Sequence, residues 1–188
     1  RPPRSTLFPY TTLFRSTRKK AGRNESPSVG IIDSQSVKTT RIGGIDRGID
    51  GGKKTKGRKR HIVVDTMGLL LAVVVHAANE HDSKSAPMVI KELRGRFTRL
   101  VKIIADGGYR GELIENTRKI YGWIVEVVLR SDTAAKFEVL PKRWIVERTF
   151  AWFESYRRLS KDFEYQTETS QAMIQLAMIK LMLNRIKK

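Results

Sequence analysis

Three carboxylates, far apart along the chain, stand where acidic side chains can do chemistry together. Asp33 closes the apolar run Val29-Gly30-Ile31-Ile32, and Asp106 closes the run Leu100 to Ala105. Glu147 falls in an amphipathic stretch from Lys142 to Arg158 that contains no Gly or Pro. A run that is apolar to its last residue reads as a buried strand, and an acid at its end is delivered to one edge of a sheet. Hard cations such as Mg²⁺ take carboxylate oxygens and water. Two of them about 3.5 to 4 Å apart can activate an attacking oxygen and stabilise a leaving one in phosphodiester chemistry. Asp33, Asp106 and Glu147 meet that need as catalytic and metal-holding residues, with two Mg²⁺ as cofactor and Mn²⁺ as substitute. The plainer readings are that Asp33 and Asp106 bond turn amides, and that Glu147, flanked by Arg143 and Arg148, is a surface ion pair.

The elements that must position these acids follow from hydrophobic periodicity. Arg60 to Asp65 and Leu69 to His76 read as two strands of a hairpin around the turn Asp65-Thr66-Met67-Gly68. Ser85-Ala86-Pro87 reads as a helix start, Glu112 to Tyr121 as a helix, and Trp123 to Leu129 as a further strand. Lys142 to Arg158 reads as one long amphipathic helix. A C-terminal helix is marked by Ala172, Leu176, Ile179, Leu183 and Ile186 at steps of three and four. Strands alternating with helices predict an α/β fold, a mixed sheet flanked by helices. Asp65 is expected to be a turn residue, and Asp82 with Ser83 and Ser85 to form a helix entry. Trp144 and Trp152 are expected in the core rather than against bases. His61, His76 and His81 fit no zinc spacing.

Lys and Arg number 37 against 19 Asp and Glu, a formal charge of +18, and such a surplus suits a polyanion. Nucleic acid is the leading partner. From Lys38 to Arg60 the chain is glycine-rich and basic and reads as a flexible loop. Lys38, Lys53, Lys54, Lys56, Arg58, Lys59 and Arg60 are therefore candidates for contact with DNA backbone. Cysteine is absent, which removes disulfides and thiolate metal sites and agrees with a cytoplasmic, nucleoid-associated setting. The most apolar stretch, Ala172 to Leu183, is shorter than the roughly 20 residues a membrane span needs, so no membrane is expected.

Four segments in order resemble the DDE transposases of bacterial insertion sequences, which have an RNase H-like catalytic domain. They are Ile32-Asp33-Ser34-Gln35-Ser36-Val37-Lys38, then Asp50-Gly51-Gly52-Lys53-Lys54 through Lys56-Gly57-Arg58-Lys59-Arg60-His61. Ala105-Asp106-Gly107-Gly108-Tyr109-Arg110-Gly111 and Arg143-Trp144-Ile145-Val146-Glu147-Arg148-Thr149-Phe150-Ala151-Trp152 complete the set. The resemblance implies cleavage of DNA by water and joining of the freed 3′ hydroxyl to target DNA. Element ends and target DNA would be the partners, and a homodimer could form on DNA. Asp33 and Asp106 would hold the metals and Glu147 would complete the second metal site. Arg143, on the same helical face as Glu147, would reach phosphate, and Arg110 is counted with the DNA contacts. The match to the Tyr, Arg, Glu, Lys signature of many such enzymes is incomplete, with Leu140 at the tyrosine position and Glu154 at the lysine position. Lys161 or Arg158 is expected to take over that contact, Arg158 lying close to three helical turns past Glu147. A nuclease or resolvase on the same fold and an inactive DNA-binding relic are the alternatives.

The segment Thr6 to Ser16 resembles one reading frame of a common sequencing adapter. Residues 1–28 are accordingly expected to be an artefact and a poorly structured lead-in, and 29–188 the catalytic domain, truncated at its N-terminus and so defective in recognising element ends. The alternative is a basic arm in which Arg15, Arg18, Lys19, Lys20 and Arg23 touch phosphate.

Overall fold

A computed structural model of the chain describes residues 8–129 and 142–187. Helix α1 (Phe8–Lys20) precedes strands β1 (Val29–Lys38), β2 (Gly48–Asp50), β3 (Thr55–Val64) and β4 (Leu70–Ala77). Helix α2 (Asp82–Lys91), strand β5 (Lys102–Ala105), helix α3 (Glu112–Tyr121) and strand β6 (Ile124–Val127) follow, and helices α4 (Trp144–Glu154) and α5 (Thr167–Lys187) close the chain. The strands form one sheet in the order β2-β3-β1-β5-β6, with β4 also pairing β3. β1, β5 and β6 run parallel, and β3 is antiparallel to both β1 and β4. Three parallel strands extended by an antiparallel hairpin, with helices on both faces, make the RNase H-like mixed sheet that the sequence predicts.

The apolar runs form strands because their side chains face cover on both sides. Ile31, Ile62, Val63, Val64 and Ile103 are fully buried, as expected for strands sandwiched between helix layers. The β3–β4 turn is built by Asp65, whose Oδ1 accepts from the Met67 and Leu69 amides at 2.8 Å each. Gly68 supplies the left-handed φ of 79° at that turn. α2 begins at Asp82, three residues before the Ser85 start expected from Pro87, because His81 O already accepts from Lys84 N and Ser85 N. α3 spans Glu112–Tyr121 as expected and ends on Gly122, left-handed at φ 73°.

Three expectations are corrected. First, the basic stretch 38–60 is not a flexible loop throughout, since β1 runs on to Lys38 and β3 already begins at Thr55. Second, the long helix expected over 142–158 stops at Glu154, and after Tyr156 in extended conformation a single 3₁₀ turn covers Arg157–Leu159. The break buries Leu159 and turns its carbonyl toward the buried Arg60, whose Nη1 donates to it at 2.7 Å. Third, the lead-in expected to be poorly structured contains α1, which packs on α5. Tyr10 and Phe14, one turn apart, are buried; Tyr10 Oη donates to Leu70 O at 2.6 Å, and the Phe14 ring meets Phe97 edge-on at 5.8 Å. Arg18 is buried in an ion pair with Asp65 rather than presented to phosphate. Residues 1–7, where the adapter-like segment starts, lie outside the described residues.

Candidate active site

β1 and β5 pair in parallel with Ile31 opposite Ile104. Asp33 and Asp106 each follow these partners by two residues, which carries them to the same level and face; Asp106 stands just past the end of β5 as expected, whereas Asp33 lies within β1, which runs on to Lys38. Asp33 Oδ1 accepts from the Ser34 amide at 2.7 Å. Asp106 caps the 3₁₀ turn Gly107–Tyr109, its Oδ1 accepting from Gly108 N at 2.8 Å. Glu147 sits in the first turn of α4, which crosses β1, and its side chain is 56% exposed. Arg143 joins it to the pair: Nη2 lies 3.2 Å from Glu147 Oε1 and 3.9 Å from Asp106 Oδ2.

The electrostatics of Asp33 are set first by its burial and then by its neighbours. Burial pushes the Asp33 carboxyl up to about 7, the charge on Asp106 adds to the rise, and the Ser34 amide, Lys53 and Arg143 oppose it. A partly buried carboxylate with a second carboxylate beside it offers the hard oxygen donors that a divalent cation takes, so this pair fits a hard metal ion. Among the described residues no three Asp, Glu or His side chains lie close enough to hold one ion together. Glu147 is tied up by Arg143 instead, and it must swing toward the pair to become a ligand.

A proton competes for the same oxygens. Because the Asp33 pKa lies above its ordinary value, the group is protonated below about 7 and must lose that proton to bind metal. Mn²⁺ affinity of the DNA-free chain is therefore expected to rise about tenfold per pH unit up to pH about 7 and to level off above it. Electron paramagnetic resonance titrations across this range measure it; a flat profile down to pH about 5 would contradict the raised pKa.

The basic candidates divide into two groups. Lys38, Lys53, Lys54, Lys56, Arg110, Arg158 and Lys161 are exposed, and Arg143 is partly so. Arg110 lines an open depression with Asp106, Gly107, Gly108, Leu129 and Arg143. Arg158, no longer on the α4 helix, is 2.9 Å from Glu164 Oε1 and lies over the Phe163 ring. Arg58, Lys59 and Arg60 are corrected as DNA contacts, since all three are buried. Arg58 donates to Ile45 O, Glu164 O, Tyr165 O, Ser170 Oγ and Asp162. Lys59 Nζ is held at 2.8 Å by Asp82 Oδ1 and at 2.7 Å by Glu80 O, and Arg60 donates to Leu159 O. Strand β3 is paired on both edges and covered on both faces at these positions, so its cations point inward whatever their charge. Leu140 lies outside the described residues.

Behind Asp33 stands a buried polar group that sequence reasoning passed over. Ser34 pairs with His61 across β1 and β3. His61 Nε2 lies 2.9 Å from Tyr109 Oη, and Ser34 Oγ donates to Asp82 Oδ1 at 2.8 Å. Burial holds the His61 imidazole neutral by pushing its pKa down to about 3. The group ties the turn after Asp106 to the strand beside Asp33. The sequence carried no clear signal for it, since Lys59, Arg60 and His61 are consecutive polar residues and only the β1–β3 register brings His61 opposite Ser34. The Trp144 and Trp152 rings are not simple core: Arg148 lies 4.5 Å and 4.8 Å over them, and Arg185 is 4.7 Å from Trp152.

An RNase H-like sheet that sets two acids level on adjacent parallel strands, with a glutamate on the helix crossing them, defines the class of polynucleotidyl-transfer catalytic cores. The model of one such family, the transposase DDE domain, matches residues 24–182, and the chain belongs to that family. It is 29% identical over 191 residues to a protein of Burkholderia cepacia assigned as the transposase of insertion sequence element IS402, covering 94% of this chain and 88% of that one. It is also similar to the catalytic core domain of BIV integrase, with 18% identity, 82% of each chain covered and a TM-score of 0.49. A second solved structure, the catalytic domain of Mos1 mariner transposase, shows 10% identity, 99% and 92% coverage and a TM-score of 0.45. Among the described residues no helix is long and apolar enough to cross a membrane.

Proposed function

We propose that this transposase core binds DNA over its exposed basic face, cleaves a strand at an element end, and joins the freed 3′ hydroxyl to target DNA, with Asp33, Asp106 and Glu147 as its acidic residues. The single observation that supports this reading is the parallel register of Ile31 with Ile104, each two residues before Asp33 and Asp106. Divalent cations, Mg²⁺ or Mn²⁺, supply activation of the attacking oxygen and charge stabilisation of the leaving one. The chain's own part is to orient and exclude. Asp33 and Asp106 would hold the metal ions, Arg143 offers a guanidinium to a phosphate oxygen once Glu147 has released it, and Lys54, Lys56, Arg110 and Lys161 hold the flanking backbone. Water, and later the 3′ hydroxyl, is the nucleophile, so no bond to the protein forms.

A joining assay tests the reading. Supplied with a precleaved end bearing a free 3′ hydroxyl, a plasmid target and Mn²⁺, the protein is expected to give covalently joined product that Asp33→Asn does not. Fragments without joined product would identify a nuclease instead. The DNA face is tested separately. Changing Lys54 and Lys56 to Ala is expected to weaken binding to every duplex alike and to lower the slope of log affinity against log salt by about 2. An unchanged slope would remove both lysines from the interface.

A further inference from the structure

The β2–β3 turn is more firmly built than a charged loop over DNA backbone requires. Asp50 Oδ1 accepts from the amides of Gly52 at 3.1 Å and Lys53 at 3.0 Å. Its other oxygen takes the Ser36 hydroxyl and lies 4.0 Å from the buried Lys59 ammonium. The turn is thereby clamped to β1, and Lys54 adopts a left-handed φ of 48° to close it. The clamp directs one side chain back over the strand: Lys53 Nζ donates to Ser34 O at 3.3 Å, the carbonyl next in sequence to Asp33. Lys54 and Lys56 are exposed without such an anchor.

A fixed ammonium beside an acid pair that must gather cations works against metal loading, because like charges repel at this range. Once the site is loaded, the same ammonium is placed to receive an anion. We propose that Lys53 is a site residue of the reaction itself, holding an oxygen of the reacting phosphate against Asp33 and Asp106, and not one more contact to flanking backbone. This rests on the transposase reading of the acid pair. Lys53, held from the β2–β3 turn on the Ser34 carbonyl beside Asp33, and Arg143, 3.9 Å from Asp106 at the start of α4, then flank one phosphate with two cations. A phosphoryl group whose charge is redistributed as it transfers is stabilised by donors already in place.

Lys53→Gln and Lys54→Gln, both at exposed positions, separate the two roles. In the DNA-free chain, at a pH about two units above the Asp33 titration so that proton competition does not enter, Lys53→Gln is expected to bind Mn²⁺ roughly fivefold more tightly, since a repelling charge has gone, while Lys54→Gln leaves Mn²⁺ affinity unchanged. With DNA at saturation, single-turnover strand cleavage is expected to slow about a hundredfold in Lys53→Gln, with DNA affinity lowered no more than in Lys54→Gln, and Lys53→Arg recovers part of the rate. Equal Mn²⁺ affinities and equal saturated rates in the two variants would overturn the proposal. Asp33→Asn distinguishes the failures. If it binds Mn²⁺ as tightly as the unaltered chain, the metal reading of the acid pair falls and Lys53's role with it; if it loses Mn²⁺ while the lysine variants stay alike, only the Lys53 role falls.

Discussion

Changing Asp106 to Asn is expected to cut metal-dependent nicking of supercoiled DNA by about a thousandfold, the equivalent of about 4 kcal/mol of transition-state stabilisation. The substitution is chosen because it is nearly isosteric. An asparagine Oδ1 can still accept from Gly108 N as Asp106 does, so the 3₁₀ turn and the buried Tyr109 stay where they are. What disappears is one negative charge and its affinity for a hard cation. A second measurement follows from the same change. Asp106 is among the groups that raise the Asp33 pKa, so Asp106→Asn should move the Asp33 titration down, toward the ordinary carboxylate range. An Asp106→Asn protein that nicks at the unaltered rate would remove the acid pair from the chemistry.

The second large effect concerns a residue that looks like a DNA contact and is not one. Arg58→Met is expected to destabilise the fold by about 3–5 kcal/mol, a large share of the 5–15 kcal/mol typical of a domain. Arg58 is fully buried. Its guanidinium spans three segments, taking Ile45 O at 2.6 Å, Tyr165 O at 2.6 Å, Glu164 O at 2.9 Å and Ser170 Oγ at 3.1 Å. Asp162 completes the clasp at 3.3 Å. Removing the cation strands a buried carboxylate and several carbonyls at once. Urea denaturation reads the loss. Under conditions where the variant remains folded, its affinity for DNA should match the unaltered chain; lost affinity with an unchanged urea midpoint would restore Arg58 to the DNA face.

The elements that sequence predicted well are those whose own residues decide them. Val29–Ile32 and Ile103–Ala105 are apolar without interruption, and Glu112–Tyr121 carries acids at its start, bases at its end and a glycine after it. Asp33 and Asp106 stood out because each ends such a run. The failures share a cause, which is that long-range partners overrode local composition. The basic stretch around Arg58 looks solvated until Asp162, more than a hundred residues later, supplies its counter-charge. Helix α4 has no glycine or proline after Glu154 to announce its end, and beyond it the buried Leu159 gives its carbonyl to Arg60. Nor does the spacing of Arg143 and Glu147 reveal that Arg143 also approaches Asp106.

The first helix has a practical consequence for anyone who shortens this chain. The residues that match the family begin at 24, so trimming to that boundary looks harmless on paper. It would take away the guanidinium that sits on Asp65 and the hydroxyl on Leu70 O, and it would leave the Phe97 ring without its aromatic neighbour. A trimmed protein would thus open a hole at the hairpin on the far end of the sheet, and a poorly behaved preparation would say nothing about its acids.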